Sequence, residues 1–424
     1  MRRSTAWLLL LILAVPWSVS AAETRAGASF GIRKLAGTHL TLYTDLAPNP
    51  DVDALPALFD QAFGQWCKYF SVDAAKHSNW HVNGYLIVAK ERFITAGMFP
   101  ADLPPFLSGY SRRGSFWLYD QTSPYYRRHL LLHEGTHCFM DMILKGYGPP
   151  WFSEGLAELL ATHKLADGKL SLNYFPVSRR EVPRLGRVEL VNQDYANRKA
   201  LALAKVMAYD NTAHRKNEPY GWCWAAAAFF ENQPRYRDRF HQLQRYVRHD
   251  DFAQKFRRLF ASDMPRLSEE WQVYVANLDY GYDFERMKLD FTPASDPPAL
   301  GTKVEVASDR GWQPMPVKLE AGKKYRLKAS GTYRVVARPR EWLCEPGGVT
   351  LRYYHGMPLG ILLAAVRPDA FDPARSSALV KPMTIGLEAT IEPAQSGTLY
   401  LRINESAGRL ADNSGRIVVE ITPQ

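Results

Sequence analysis

The hydrophobic period of this chain changes once, and that change constrains the fold more than any other feature. Before about residue 290, apolar residues recur over long stretches at the three- and four-residue spacing of helices. After residues 292–301 (TPASDPPALG) that period is gone. Short alternating runs replace it, at 303–306, 315–319, 324–330, 333–337, 349–354, 383–391, 398–403 and 416–422. Gly, Pro and Asn-Ser-Gly clusters punctuate these runs, which is the pattern of a small β-sandwich or jelly roll. The first part is itself mixed. Strands are expected at 38–44 and 81–89, with a hairpin or one long edge strand across 106–120. Helices are expected at 54–70, 123–145, 153–163, 185–209, 220–232, 234–248, 251–260 and 266–278. The expected fold class is an α+β domain, with a small N-terminal sheet followed by mainly helices, and then an all-β sandwich. The Pro-rich stretch predicts a linker at 289–301 with few contacts crossing it, between domains at 30–288 and 302–424.

The 123–145 helix carries His133-Glu134-Gly135-Thr136-His137. Residues four apart share one helix face, so His133 and His137 present two imidazoles to one point. Glu134, beside them, is placed to take a proton from a metal-activated water. A catalytic zinc needs a third protein ligand and an open position. Residues 149–158 read Pro-Pro-Trp-Phe-Ser-Glu-Gly-Leu-Ala-Glu, with Glu154 seventeen residues beyond His137. Ser153 is the expected N-cap of the helix carrying Glu154, and Glu158 follows one turn later on the same face.

This arrangement resembles the gluzincin metallopeptidases, in which HExxH is followed by a glutamate ligand on the next helix. The resemblance implies Zn²⁺ held by His133, His137 and Glu154, with Glu134 as general base. Glu158 would hold a ligand histidine's ring. Tyr220, opening the helix YGWCWAAAAFF, would stabilise the oxyanion, with Tyr209 and His214 as weaker alternatives. The strand before the HExxH helix would pair with a peptide or protein substrate. The family's aminopeptidases carry a Gly-x-Met-Glu-Asn string on that strand, whereas this chain reads GYSRRGSFWLYD there and lacks the glutamate. Two alternatives stand beside a zinc peptidase. One is an inert peptidase fold serving as a carbohydrate- or surface-binding module, and the other is a zinc hydrolase of a non-protein amide.

The last zone, TLYLRINESAGRLADNSGRIVVE at 398–420, resembles the end of the calcium-dependent galactose-binding lectin domain of bacteria. The resemblance implies a jelly roll in which loop oxygens hold Ca²⁺ and the sugar's hydroxyls complete its coordination. Glu405, Asp412 and Asn413 match ligand positions, and Arg409 stands where that family has a short oxygen-bearing residue. Trp312 and His355 are the aromatic candidates for sugar stacking.

Composition excludes other classes. With 46% hydrophobic and 23% charged residues, the chain is not mostly disordered. Its four cysteines, Cys67, Cys138, Cys223 and Cys344, are too few for a disulfide scaffold. The net charge of +10 comes without basic runs, zinc-finger spacing or a phosphate-loop glycine pattern, so no nucleic-acid partner is expected. Arg2 and Arg3, the twelve-residue apolar run 6–17 and Val19-Ser20-Ala21 read as a signal peptide over residues 1–21. A secreted or periplasmic protein with no membrane span after cleavage is the expectation.

Overall fold

The computed structural model describes residues 30–183, 186–210 and 218–424. Residues 1–21, expected to be a signal peptide, and His214 lie outside them. The first part opens with a five-stranded sheet built from β1 (Arg33–Ala36), β2 (Leu40–Thr44), β3 (Val82–Ile87), β4 (Gly109–Arg112) and β5 (Ser115–Tyr119). Their spatial order is β1-β2-β3-β5-β4. β2, β3 and β5 run parallel, while β1 and β4 add antiparallel edges. Alternation sorts the side chains. Leu40, Leu42, Val82, Leu86, Phe116 and Leu118 enter the main core, and Tyr43, Ile87 and Trp117 pack on the opposite face.

Among the helices that frame the main core are α1 (Leu55–Tyr69), α2 (Pro124–Phe139), α3 (Pro150–Ala161), α4 (Arg187–Ala196), α5 (Glu218–Asn232) and α6 (Met264–Ala276). Pro124 starts α2, where its missing N–H costs nothing. From Leu131 to Met140 every residue is buried. The helix ends through a wider turn, Met140–Leu144, and the left-handed Lys145. α3 begins three residues before the sequence reading placed it. Pro150 sits in its first turn after Pro149, so Ser153 is a buried helical residue and not the N-cap. The expected 185–209 helix is two, α4 and Leu203–Met207, because the chain turns at Asn197 and the positive-φ Arg198.

The C-terminal part consists of antiparallel sheets. One four-stranded sheet runs, in spatial order, Glu388–Ile391, Tyr325–Ser330, Arg416–Pro423, Thr302–Ala307. The other runs Met383–Thr384, Leu362–Arg367, Gly397–Ile403, Gln313–Leu319. Val306, Leu327, Ile417 and Val419 of the first sheet meet Val317, Leu362, Leu399 and Leu401 of the second in one core. The expected 383–391 strand is divided between the two sheets, and the chain crosses at the positive-φ Gly386.

The stretch 289–301 is not an exposed tether. Leu289 and Phe291 pack with Val273 of α6 against Ile361, Leu363 and Tyr400 on the outer face of the second sheet. Tyr400 donates to the Asp290 carbonyl at 2.6 Å, and Thr398 Oγ1 accepts from Ala294 N at 2.9 Å. Apolar residues two apart on an extended segment give that segment a face to bury, which Pro-rich composition does not reveal. Polar groups also cross the junction. Arg367 pairs with the buried Glu269 at 2.9 Å, and Arg402 donates to Asn277 Oδ1 at 2.9 Å. Trp312, expected to be exposed, is buried in this junction and donates to the Leu379 carbonyl at 3.0 Å. The four cysteines are buried and unpaired. No helix among the described residues is long and apolar enough to cross a membrane.

Candidate metal centre

α2 and α3 set the geometry. α3 lies against α5 so closely that a Cβ on Gly155 would stand 2.8 Å from the Cys223 carbonyl oxygen. From the same helix Glu154 and Glu158 reach toward α2. Glu154 Oε2 lies 3.3 Å from His133 Nε2 and 3.4 Å from His137 Nε2, and the two nitrogens are 3.2 Å apart. Glu154 Oε2 is buried without a hydrogen bond of good geometry. Ligands held about 2.0–2.1 Å from a tetrahedral zinc stand about 3.3 Å from one another. The three atoms therefore fit a zinc ion in spacing as well as in chemistry.

The neighbours tune these groups. Burial pulls the His133 imidazolium down, but Glu154, Glu158 and Glu134 outweigh it and hold its pKa up at about 10. Burial likewise opposes the Glu154 carboxylate, yet His137 and His133 hold it far below the usual carboxylate range. Glu134 is buried, and desolvation raises its carboxyl against the pull of His133 and His137. It faces β4, where a Cβ on Gly109 would come within 2.6 Å of Glu134 Oε1. Glycine there leaves room for the carboxyl. β4 is the last strand of the sheet and pairs only with β5 among the described strands. The Tyr220 ring stands edge-on to His133, with centroids 5.7 Å apart, and burial raises its phenol. Tyr209 packs against the main core.

Glu158 Oε1 lies 3.1 Å from His133 Nδ1, on the ring side away from the converging atoms. Two of its other partners escaped the sequence reading. Glu158 Oε2 lies 3.1 Å from His129 Nε2, and Arg187 grips both oxygens in a fork, with Nη2 at 2.9 Å from Oε1. Against the burial penalty, Arg187 and His129 hold Glu158 well below the carboxylate range. His129 was readable as a third histidine one turn before His133. Arg187 had no local signal. Tyr147, whose ring lies 6.1 Å from that of His137, was also missed.

The Ca²⁺ positions read from the C-terminal loop are partly committed to the protein. Glu405 Oε1 accepts from Ser406 N at 2.8 Å, and Asp412 Oδ2 from Ala337 N at 3.2 Å. Asn413 Nδ2 donates to the Ser308 carbonyl at 2.9 Å. Glu405 Oε2 and Asn413 Oδ1 remain buried without a partner. Among the described residues, the His, Cys, Asp and Glu groups that could hold a metal are His133-His137-Glu154 and His129-His133-Glu158, and Arg187 already supplies a positive charge to the second. His355, the other stacking candidate, is exposed beside Tyr354.

No family model matches the chain, and no curated protein matches it. Among solved structures, the EclA N-terminal domain, a PllA-like lectin, is 19% identical, and the match covers 29% of this chain and 95% of that one at a TM-score of 0.23. A de novo designed double-stranded beta-helix matches 30% of this chain and 100% of its own, at 13% identity and a TM-score of 0.13. IMPa from Pseudomonas aeruginosa, solved in complex with an O-glycopeptide, matches 92% of this chain and 42% of its own, at 9% identity and a TM-score of 0.19. These likenesses are too slight to carry an argument about this chain.

Proposed function

We propose that this protein is a zinc-dependent hydrolase of peptide bonds. The observation that carries the reading is the convergence of His133 Nε2, His137 Nε2 and Glu154 Oε2 at 3.2–3.4 Å from one another. Bound there, Zn²⁺ would polarise a carbonyl and bring the pKa of a water molecule toward neutrality. The protein's own groups do the rest. Glu134 accepts the proton of the attacking water and returns it to the departing amine nitrogen. The Tyr220 hydroxyl donates to the carbonyl oxygen as charge develops on it. β4, as an edge strand, offers backbone groups to an extended peptide. Glu158, fixed by Arg187 and His129, keeps the His133 ring oriented.

The reading is tested by incubating the full chain with a mixed peptide library. Cleavage should stop with a zinc chelator and return on adding back zinc. Cleavage unaffected by the chelator, or no cleavage of any peptide by zinc-loaded protein, overturns it. Release of amines from a non-protein amide alone would transfer the same residues to that substrate class. Secretion through the 1–21 segment is part of this proposal.

A further inference from the structure

A row of four aromatic residues crosses the N-terminal sheet, one on each of β2, β3, β5 and β4. The register places Tyr43 of β2 opposite Tyr85 of β3, Tyr85 opposite Trp117 of β5, and Trp117 opposite Tyr110 of β4. Tyr43 and Tyr85 are stacked with centroids 5.5 Å apart, and Tyr85 and Trp117 with centroids 5.4 Å apart. All four belong to the cluster on the face of the sheet away from the main core. The row ends at Tyr110, because β4 has no further partner among the described strands. Phe106 stacks on Tyr110 at 6.0 Å and on Tyr119 at 5.2 Å, which ties the last ring to the cluster. Leu107, just ahead of β4, is 70% exposed.

The neighbours of Tyr110 on the strand point the other way. A Cβ on Gly109 would stand 2.6 Å from Glu134 Oε1, and the Ser111 hydroxyl reaches the same carboxyl. The free edge of β4 therefore has the candidate metal centre on one face and the aromatic row on the other. A peptide that adds to this edge has the same two faces, because side chains alternate along a strand. Its residues on one face turn toward Glu134 and the proposed zinc site. On the other face, the residue beside Tyr110 takes the fifth place in the row. Directly opposed residues on neighbouring strands have Cβ atoms about 4.5–5.5 Å apart, within reach of ring stacking. Arg112, the other outward residue of β4, forks onto Asp102 at 2.9 and 3.1 Å. The outward face of β4 thus offers a substrate one aromatic ring and an ion pair that is already satisfied.

We infer that Tyr110 is a specificity residue, which receives an aromatic side chain of the substrate on the face of the edge strand away from the zinc site. The inference rests on the peptidase reading. It adds the class of peptide cut, one with an aromatic residue at a fixed distance from the scissile bond.

The test uses the full zinc-loaded chain and blocked alanine–serine peptides that carry one phenylalanine at each position in turn. One position relative to the cut bond should raise kcat/KM about tenfold or more over the peptide without phenylalanine. Tyr110→Val keeps a strand-forming residue and should remove that advantage with zinc content as in the wild type. Tyr110→Leu should reduce it, and Tyr110→Phe should retain it. Calorimetric titration of the same peptides into Glu134→Gln protein reads the preference without chemistry, and the phenylalanine peptide should again bind about tenfold tighter. No preference at any position, or a preference that Tyr110→Val and Tyr110→Leu leave intact, overturns the inference while the peptidase reading stands. Tighter binding of the phenylalanine peptide, lost when Tyr110→Val is added to Glu134→Gln, with no peptide cut by the wild type, overturns the peptidase reading and keeps the role of Tyr110.

Discussion

Glu154 and Glu405 each hold one carboxyl oxygen buried without a hydrogen bond, one in the helical part and one in the sandwich. Burial opposes ionisation of both, and the outcomes are opposite. Two imidazoles converge on Glu154 and hold it ionised far below the usual range. Around Glu405 desolvation wins over Ser406 N, Arg352 and Arg409, and the carboxyl is pushed up to about 7. The same side chain is thus held ionised, as the proposed zinc site requires, where rigid helices aim two imidazoles at it. It makes a protonatable group where a loop leaves the partners at a distance.

The strongest way to break this contrast is His133→Ala. Two remaining protein ligands make a poor zinc site, so metal analysis of the variant should fall from one zinc per chain to near none. Full zinc retention would dissolve the distinction between the two glutamates. Next comes Glu134→Gln. It should keep zinc and fold, while peptide hydrolysis falls by about 10²–10⁴-fold, because an amide cannot accept the water's proton. Unchanged turnover would remove Glu134 from its role.

A third test turns to the sandwich. Glu405 has a folded pKa near 7 against an ordinary 4.5, so the folded chain holds its proton more tightly than the unfolded chain does. The stability this provides is present below the ordinary value and is lost as pH rises from about 4.5 to about 7, to the extent of about 3 kcal/mol. Glu405→Gln should flatten that part of the stability profile in denaturant titrations. A variant with the wild-type slope would place Glu405 among ordinary carboxylates. The smallest expected effect is at Arg187→Gln. Loosening Glu158 should lower zinc affinity by about 10–100-fold in chelator competition while leaving the metal stoichiometry at saturation unchanged. An unchanged affinity would mean that Glu158 needs no anchor.

What could be read in advance divides along the same line. His133 and His137 were legible because a helix repeats every 3.6 residues, so their spacing alone puts both rings on one side. Glu154 was legible only through the string around it, since its distance from His133 depends on how α3 packs against α2 in space. Arg187 reaches Glu158 across 29 residues of chain, and nothing local to either residue announces it. The strand Leu362–Arg367 escaped for another reason. It is buried on both faces, so it shows no alternation.

The sequence by itself determined the order of the two parts, the change from helical to alternating period, and the pairing of histidines on one helix. All of these follow from local periodicity. Tertiary structure alone decided that 289–301 packs as part of the junction, that Arg367 and Arg402 are buried against the helical part, and that Glu405 lines a cleft shared by both parts. Outward-facing positions of a strand look alike in sequence whether water or another domain covers them. Only the packing of one part on the other fixes which groups lose their water and must find a partner.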